Sequence, residues 1–338
     1  MISKDYFKKI KVGIIGLGVG ERHLKALMKN NKCEVISICD FNNKKLLAIK
    51  KKYKINCTIN PNEILENKKI NLVSIASYDN YHFSQAKKAL NNNKHVFIEK
   101  PAVLHEHQLI KLKKILNKKK KLAFFTNVIL RKSKRFIKLK RNIKKNYFGK
   151  IYYIEADYNY GRLKKILSGW RNKIPFYSIT LGGAIHMIDL IMWLTEKKIL
   201  EVASYSNKIV TKNTNFRHYD FSTSILKFED GKIAKVSSNF GCVYPHFHKL
   251  SIYGKNKTFE NDFNYAKIFK KRESFKFEKD KSNLEPNDKG ELISDFIENL
   301  NNAATRKKLT RDTLNSLSVC FAIEKSFKTK KKVKVKYI

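Results

Sequence analysis

The chain is poor in acid. Its 338 residues hold 29 Asp and Glu against 72 Lys and Arg, a formal charge of +43. A surplus of that size ordinarily points to nucleic acid or an acidic membrane surface. The lysines, however, run along nearly every predicted helix instead of gathering in one tail, and Asn and Ile are abundant beside them. Lys, Asn and Ile are all favoured by AT-rich codons. A genome-wide bias therefore explains the surplus more simply than a nucleic-acid footprint does. The densest runs, Lys118 to Lys121 and Arg131 to Lys145, stay open as sites for anionic substrates or polymers. Also missing is any apolar run approaching a membrane span, and the N-terminus lacks the apolar core of a signal peptide. Cysteine is scarce: Cys33, Cys39, Cys57, Cys242 and Cys320 are odd in number and show no C-x-x-C spacing. That argues against a disulfide framework or a zinc site and for reduced thiols. No internal repeat is present. These observations lead to the expectation of a soluble, cytoplasmic protein with no metal and no membrane partner, nucleic acid being disfavoured despite the charge.

What is present is enough for two domains: 42% of the residues are hydrophobic. The organising stretch is Lys11-Val-Gly-Ile-Ile-Gly-Leu-Gly-Val-Gly-Glu-Arg-His23. Val12, Ile14 and Ile15 suit a strand buried on both faces. Gly16, Gly18, Val19 and Gly20 form a turn whose glycines remove Cβ atoms from the path of a pyrophosphate. Leu24, Leu27 and Met28 then recur at helical spacing, so phosphate would meet a helix N-terminus. The glycines fall at G-x-G-x-G, one residue tighter than the usual dinucleotide fingerprint. Val35-Ile-Ser-Ile-Cys-Asp40 reads as a second strand ending in a carboxylate. Asp40 is placed to bond the adenosine ribose and repel a 2′-phosphate, favouring NAD while leaving NADP open. A cap for the helix beginning near Asn42 is its alternative role.

Up to about residue 126, short apolar runs alternate with amphipathic helices, the pattern of a parallel α/β sheet. Asn71–Ser77, Lys94–Glu99 and Leu122–Thr126 read as its further strands. A helix over Ser84–Asn92 and a short one opened by Pro61, with Asn60 as cap, fall between them. After Gly149 the period changes. Tyr152, Ile154, Ala156, Tyr158 and Tyr160 alternate with Tyr153, Glu155, Asp157 and Asn159, as in a sheet with one covered face. Strands are expected near 201–210, 221–228, 233–240 and 247–253, with Glu229-Asp-Gly231 as a hairpin turn. Helical spacing returns near 286–300 and from 310 to 328, and Lys328 to Lys336 reads as a solvated final strand. The expected organisation is a Rossmann domain over 1–126 and an α+β domain over 127–338 with a large, mostly antiparallel open sheet. A return of the last helix to the first domain stays open.

Three polar clusters fall where strands end or helices begin: Ser77-Tyr-Asp-Asn-Tyr-His82, Glu99-Lys100-Pro101 and Gly182-Gly-Ala-Ile-His-Met-Ile-Asp189. With the glycine turn, Asp40, the Lys94-His-Val-Phe-Ile-Glu-Lys-Pro101 run and the ending from Asp312 to Val335, they resemble the Gfo/Idh/MocA family. This is the family of glucose–fructose oxidoreductase and inositol 2-dehydrogenase, and the likeness spans nearly the whole chain.

The resemblance implies NAD(P)-linked oxidation of a secondary alcohol, or reduction of the ketone, on a sugar, nucleotide sugar or cyclitol. It places Lys100 near the nicotinamide and the reacting hydroxyl, where an ammonium stabilises alkoxide character. It makes His186 the general acid/base. Asp189, one turn on, would orient the imidazole or bond a substrate hydroxyl. Ser77, His82 and Glu99 join the cofactor set, and Arg131, Trp170, Arg171 and Tyr177 lie in substrate-facing stretches. The alternatives are a surface lysine, a core histidine satisfied by Asp189, a helix cap at His82 and a strand-end salt bridge at Glu99. His246 and His248 alternate in a strand without a third metal-like ligand. One departure matters: many family members carry an aspartate where this chain has Gly182. That keeps a second reading alive, a catalytically silent NAD(P)-binding sensor or scaffold. A homodimer or homotetramer through the open sheet face is expected.

Overall fold

The computed structural model describes residues 9–286, 288 and 290–338. The chain forms two compact units. One comprises the chain up to Val103, His107–Asn127 and the stretch ending at Thr313; the other comprises Leu104–Glu106, Val128–Pro286 and Leu314–Ile338.

The first unit is a parallel sheet of six strands: β1 Ile10–Ile15, β2 Cys33–Cys39, β3 Asn56–Thr58, β4 Leu72–Ile75, β5 His95–Ile98 and β6 Phe124–Thr126. Their spatial order is β3-β2-β1-β4-β5-β6, the doubly wound arrangement whose direction reverses between β1 and β4. The apolar runs read from the sequence are buried here, as a parallel sheet covered on both faces requires. Val12, Ile14, Leu72, Val73, Ile75, Val96, Phe97 and Phe124 are all fully buried. The Phe296 ring, from the Glu291–Glu298 helix, packs on Phe97 at 5.6 Å and Phe125 at 6.0 Å between centroids. Each such ring contributes about 1.5–3 kcal/mol by leaving water. The short Asn62–Leu65 helix follows Pro61, and the Asn60 side chain accepts from the Asn62 amide at 3.0 Å.

The helix expected over Ser84–Asn92 runs from Asp79 to Asn91. His82 therefore lies inside the helix and does not cap it. The polar Tyr78-Asp-Asn80 segment lies ahead of the expected helix, yet Asp79 and His82 are buried residues of its first turn.

The second unit carries a mixed sheet of nine strands: β7 Ile151–Asn159, β8 Ile199–Asn207, β9 Phe221–Phe228, β10 Ile233–Asn239, β11 Phe247–Gly254, β12 Thr258–Asn261, β13 Ala266–Phe269, β14 Phe277–Asp280 and β15 Val333–Lys334. All pairings are antiparallel except β7 with β10. The Glu229–Gly231 turn joins β9 to β10, with Gly231 at φ 86°. Ile154, Ala156 and Tyr158 of β7 face the core, whereas Tyr152 is exposed. The last strand is shorter than expected, because the Ala303–Thr329 helix occupies the chain up to Thr329. No helix among the described residues is long and apolar enough to cross a membrane.

Candidate active site

In the first unit the turn after β1 divides three tasks among three glycines. Gly16 sits at φ +93°, and a Cβ there would lie 2.3 Å from the Ala76 carbonyl oxygen. Only glycine lets the turn close against the end of β4. Gly20 opens the Gly20–Leu27 helix, and a Cβ on it would press on Ala76 and Ile14 at 3.3 Å. Gly18 differs from both, because its Cβ direction meets nothing within 4 Å. Open space at the middle glycine, with helix amides left without a side-chain cap, suits the close approach of a pyrophosphate. Val19 beside it is exposed.

Asp40 follows β2 and is buried. One carboxylate oxygen accepts from the Leu17 amide of the glycine turn at 2.6 Å, and the other from the Asn42 amide at 2.8 Å. Each oxygen keeps a lone pair for a ribose hydroxyl. Asn42 is itself the cap of the helix that follows, accepting from the Lys45 amide at 3.1 Å.

At the end of β5 stands a polar network that sequence reasoning did not assemble. Fully buried His23 contacts Ser74 Oγ through Nδ1 at 2.9 Å and Glu99 Oε1 through Nε2 at 3.2 Å. The Asn127 amide donates to the same Glu99 oxygen at 2.6 Å. Burial alone would push the Glu99 carboxyl up. The hydrogen bonds and charge of His23, the Asn127 amide and the Lys100 ammonium together hold it below its ordinary value. Glu99 is thus an anchored anion, and the residue after it is Lys100, joined to Pro101 by a cis peptide. The clue to His23 was its place three residues after Gly20, on the helix face that also carries Leu24 and Leu27 toward the sheet.

His82 has both ring nitrogens on carbonyl oxygens, Nδ1 at 2.7 Å from Pro101 and Nε2 at 3.0 Å from Ser77. It ties the loop after β4 to the Glu99–Pro101 loop. Ser77 in turn donates through Oγ to Gln85 at 2.7 Å.

In the second unit, His186 lies near the start of the Ile185–Thr195 helix, which a π-helical turn over Thr180–Ala184 precedes. His186 is buried against Tyr158 of β7 at 5.8 Å and His248 of β11 at 5.7 Å between ring centroids. His248 and Tyr158 are direct partners across the β7–β11 pair, and His246 bonds the Tyr158 hydroxyl at 3.2 Å. Burial, with Tyr177 and Tyr160 close by, pushes the Tyr158 phenol well above its ordinary range, so it stays protonated. The alternation of His246 and His248 signalled a shared face; the partner strand was invisible to sequence.

Asp189 and Arg131 come together, but on each other. The guanidinium donates to both carboxylate oxygens, at 2.8 and 2.6 Å, and Ser316 Oγ adds a bond at 3.1 Å. Both partners are buried, and the fork geometry makes this a rigid pair. Arg171 lies over the Trp170 ring at 4.7 Å and the Tyr177 ring at 5.8 Å. Gly182 gains a physical reason: a Cβ there would stand 2.5 Å from the Tyr177 hydroxyl. Tyr177 fills the space a side chain at 182 would need.

Comparison with known proteins establishes the family and the fold. Residues 10–127 match the family model described as an oxidoreductase family with an NAD-binding Rossmann fold, and residues 136–260 match the Gfo/Idh/MocA C-terminal domain. The molecule is an NAD-dependent dehydrogenase in class. It belongs to the Gfo/Idh/MocA family. Myo-inositol 2-dehydrogenase of Thermotoga maritima is 23% identical over 256 residues, covering 72% of this chain and 73% of that protein. The crystal structure of myo-inositol 2-dehydrogenase from Lactobacillus plantarum superposes with a TM-score of 0.80 at 19% identity, covering 97% of this chain and all of the other (100%). Levoglucosan dehydrogenase in complex with NADH gives a TM-score of 0.82 at 17% identity, covering 98% and 100%. At these identities the two structures establish a shared fold.

Proposed function

We propose that the protein interconverts a secondary alcohol and its ketone on a sugar, nucleotide sugar or cyclitol, with His186 handling the proton and Lys100 stabilising the alkoxide. The anchoring of Glu99 carries this reading. Two buried neighbours hold its carboxylate, so the backbone that presents Lys100 is fixed at the carboxyl end of a central parallel strand. The relatives named for inositol and levoglucosan support the class of substrate.

Bound NAD supplies the hydride acceptor for alcohol oxidation. Lys100, as an ammonium, stabilises the alkoxide character that develops on the substrate oxygen. His186 takes the hydroxyl proton and returns it in the reverse direction. Trp170 and Arg171 contribute a stacked wall for the substrate. Asp189, held by Arg131, fixes the helix that carries His186.

Lys100→Ala and His186→Ala are expected to lower kcat by about 10²–10⁴-fold each while leaving NADH affinity within about threefold. Steady-state assay on a panel of sugars and cyclitols, paired with an NADH titration, reads both quantities. Full turnover in both variants would overturn the assignment. NADH binding by the native chain without turnover on any substrate would favour a silent NAD-binding protein.

A further inference from the structure

The second unit holds a cavity of about 320 Å³ that the dehydrogenase chemistry leaves unused. This is the size of a small-molecule site. Four pieces of chain build it: the Phe176–Ile179 stretch, Lys208 just after β8, Arg217–Tyr219 just before β9, and Glu324, Phe327 and Lys328 near the end of the Ala303–Thr329 helix. Three of these groups are cations: Lys208, Arg217 and Lys328. Glu324 is the one carboxylate among the lining residues. It accepts from Ser178 Oγ at 2.5 Å and pairs with Lys328 at 3.6 Å, so its charge is answered within the wall. Two cations are then left over, facing the cavity. Burial holds His218 below its ordinary value, so at neutral pH it is a ring and not a third surplus charge.

Apart from Ser178 and Ile179, the remaining walls are aromatic. Tyr219 packs edge-on to Phe327 at 5.4 Å, and Phe176 lies against His218 at 6.1 Å. Flat faces beside paired cations are the combination that takes a base and a polyphosphate together. Packed rings stand between the cavity and His186: Tyr177 meets Phe240 at 6.0 Å, Phe240 meets Tyr158 at 5.7 Å, and Tyr158 meets His186 at 5.8 Å.

We propose that this cavity is a nucleoside diphosphate site, with Lys208 and Arg217 on the phosphates and Tyr219 and Phe176 beside the base. The binding site does not rest on the proposed dehydrogenase reading.

The test is calorimetric titration of the full chain with uridine diphosphate and, separately, inorganic pyrophosphate. Salt of about 0.2 M suppresses loose attraction to so basic a surface. Uridine diphosphate is expected to bind about tenfold tighter than pyrophosphate, the difference coming from the stacked base. Arg217→Ala and Lys208→Ala should each weaken it about tenfold, and a control removing Lys118 and Lys120 should change it less than about twofold. Equal affinity for the two ligands would overturn the proposal, as would equal losses in the control. Turnover of free sugars without diphosphate binding defeats the subsite and leaves the dehydrogenase reading standing. Diphosphate binding through Arg217 without any turnover does the reverse.

Discussion

Gly18 separates two demands that the neighbouring glycines combine. Gly16 is required by the fold itself, since a Cβ there meets the end of β4, and a Cβ at Gly20 would press on Ala76 and Ile14. At Gly18 there is no such obstacle, so an alanine there costs the apo fold little and matters only to what approaches the turn. Gly182 is the opposite case. Gly182→Ala drives a methyl into the Tyr177 hydroxyl and is expected to destabilise by about 1–3 kcal/mol. Part of that loss should disappear when Tyr177→Phe removes the oxygen, the ring Cζ still standing 2.9 Å away, which a double-mutant cycle followed by urea unfolding will measure. Strict additivity would show that the two do not touch. Asp189→Ala leaves the Arg131 guanidinium buried without its carboxylate, with an expected loss of about 3–5 kcal/mol. A variant that merely loses activity at native stability would return Asp189 to substrate binding.

At the scale of elements, legibility followed apolar continuity. β1, β2, β4, β5 and β6 are short apolar runs between turn residues, and the sequence displayed them directly. β12, β13 and β14 were missed because their few buried residues, such as Phe259 and Ile268, alternate with lysine and glutamate in strands of only four residues. The candidate site was legible where one segment carried it: the glycine turn, Glu99-Lys100-Pro101 and His186. What depended on distant segments was not legible. The His23–Glu99–Asn127 network joins three separate stretches, and the pairing of Arg131 with Asp189 spans 58 positions. β5 also carries a pH response. Its His95 accepts from the Ala123 amide at 3.0 Å and is pushed down to about 4, first by burial and then by Arg306. The unfolded chain binds a proton there near pH 6.5 and the native chain does not. Its contribution is therefore complete above about pH 6.5 and fades as pH falls toward 4, by about 3 kcal/mol in all. His95→Asn, which keeps an acceptor for the Ala123 amide, should flatten the change in unfolding free energy between pH 7 and pH 5. An unchanged slope would place the response elsewhere.

Across the whole molecule, the charge of +43 is the property least tied to the fold. Many of the lysines stand on exposed faces, where ion pairs such as Lys25–Glu21 and Lys308–Asp312 contribute little individually. The charge nonetheless sets the field in which any anion approaches, so binding measured at low salt overstates what a site does by itself. The five cysteines are free, and burial pushes the thiol of Cys33 up to about 11 and that of Cys39 up to about 12. Neither is a ready nucleophile. With charge and thiols accounted for, NAD held by the glycine turn is the claim on which the remaining chemistry depends.

The most direct test is an NADH titration of the native chain and of Gly18→Ala at moderate salt, with thermal unfolding recorded for both. The account predicts saturable binding by the native chain, affinity weakened about tenfold or more in the variant, and unchanged unfolding temperatures. Equal affinity in the two proteins, or no binding by the native chain, would contradict it.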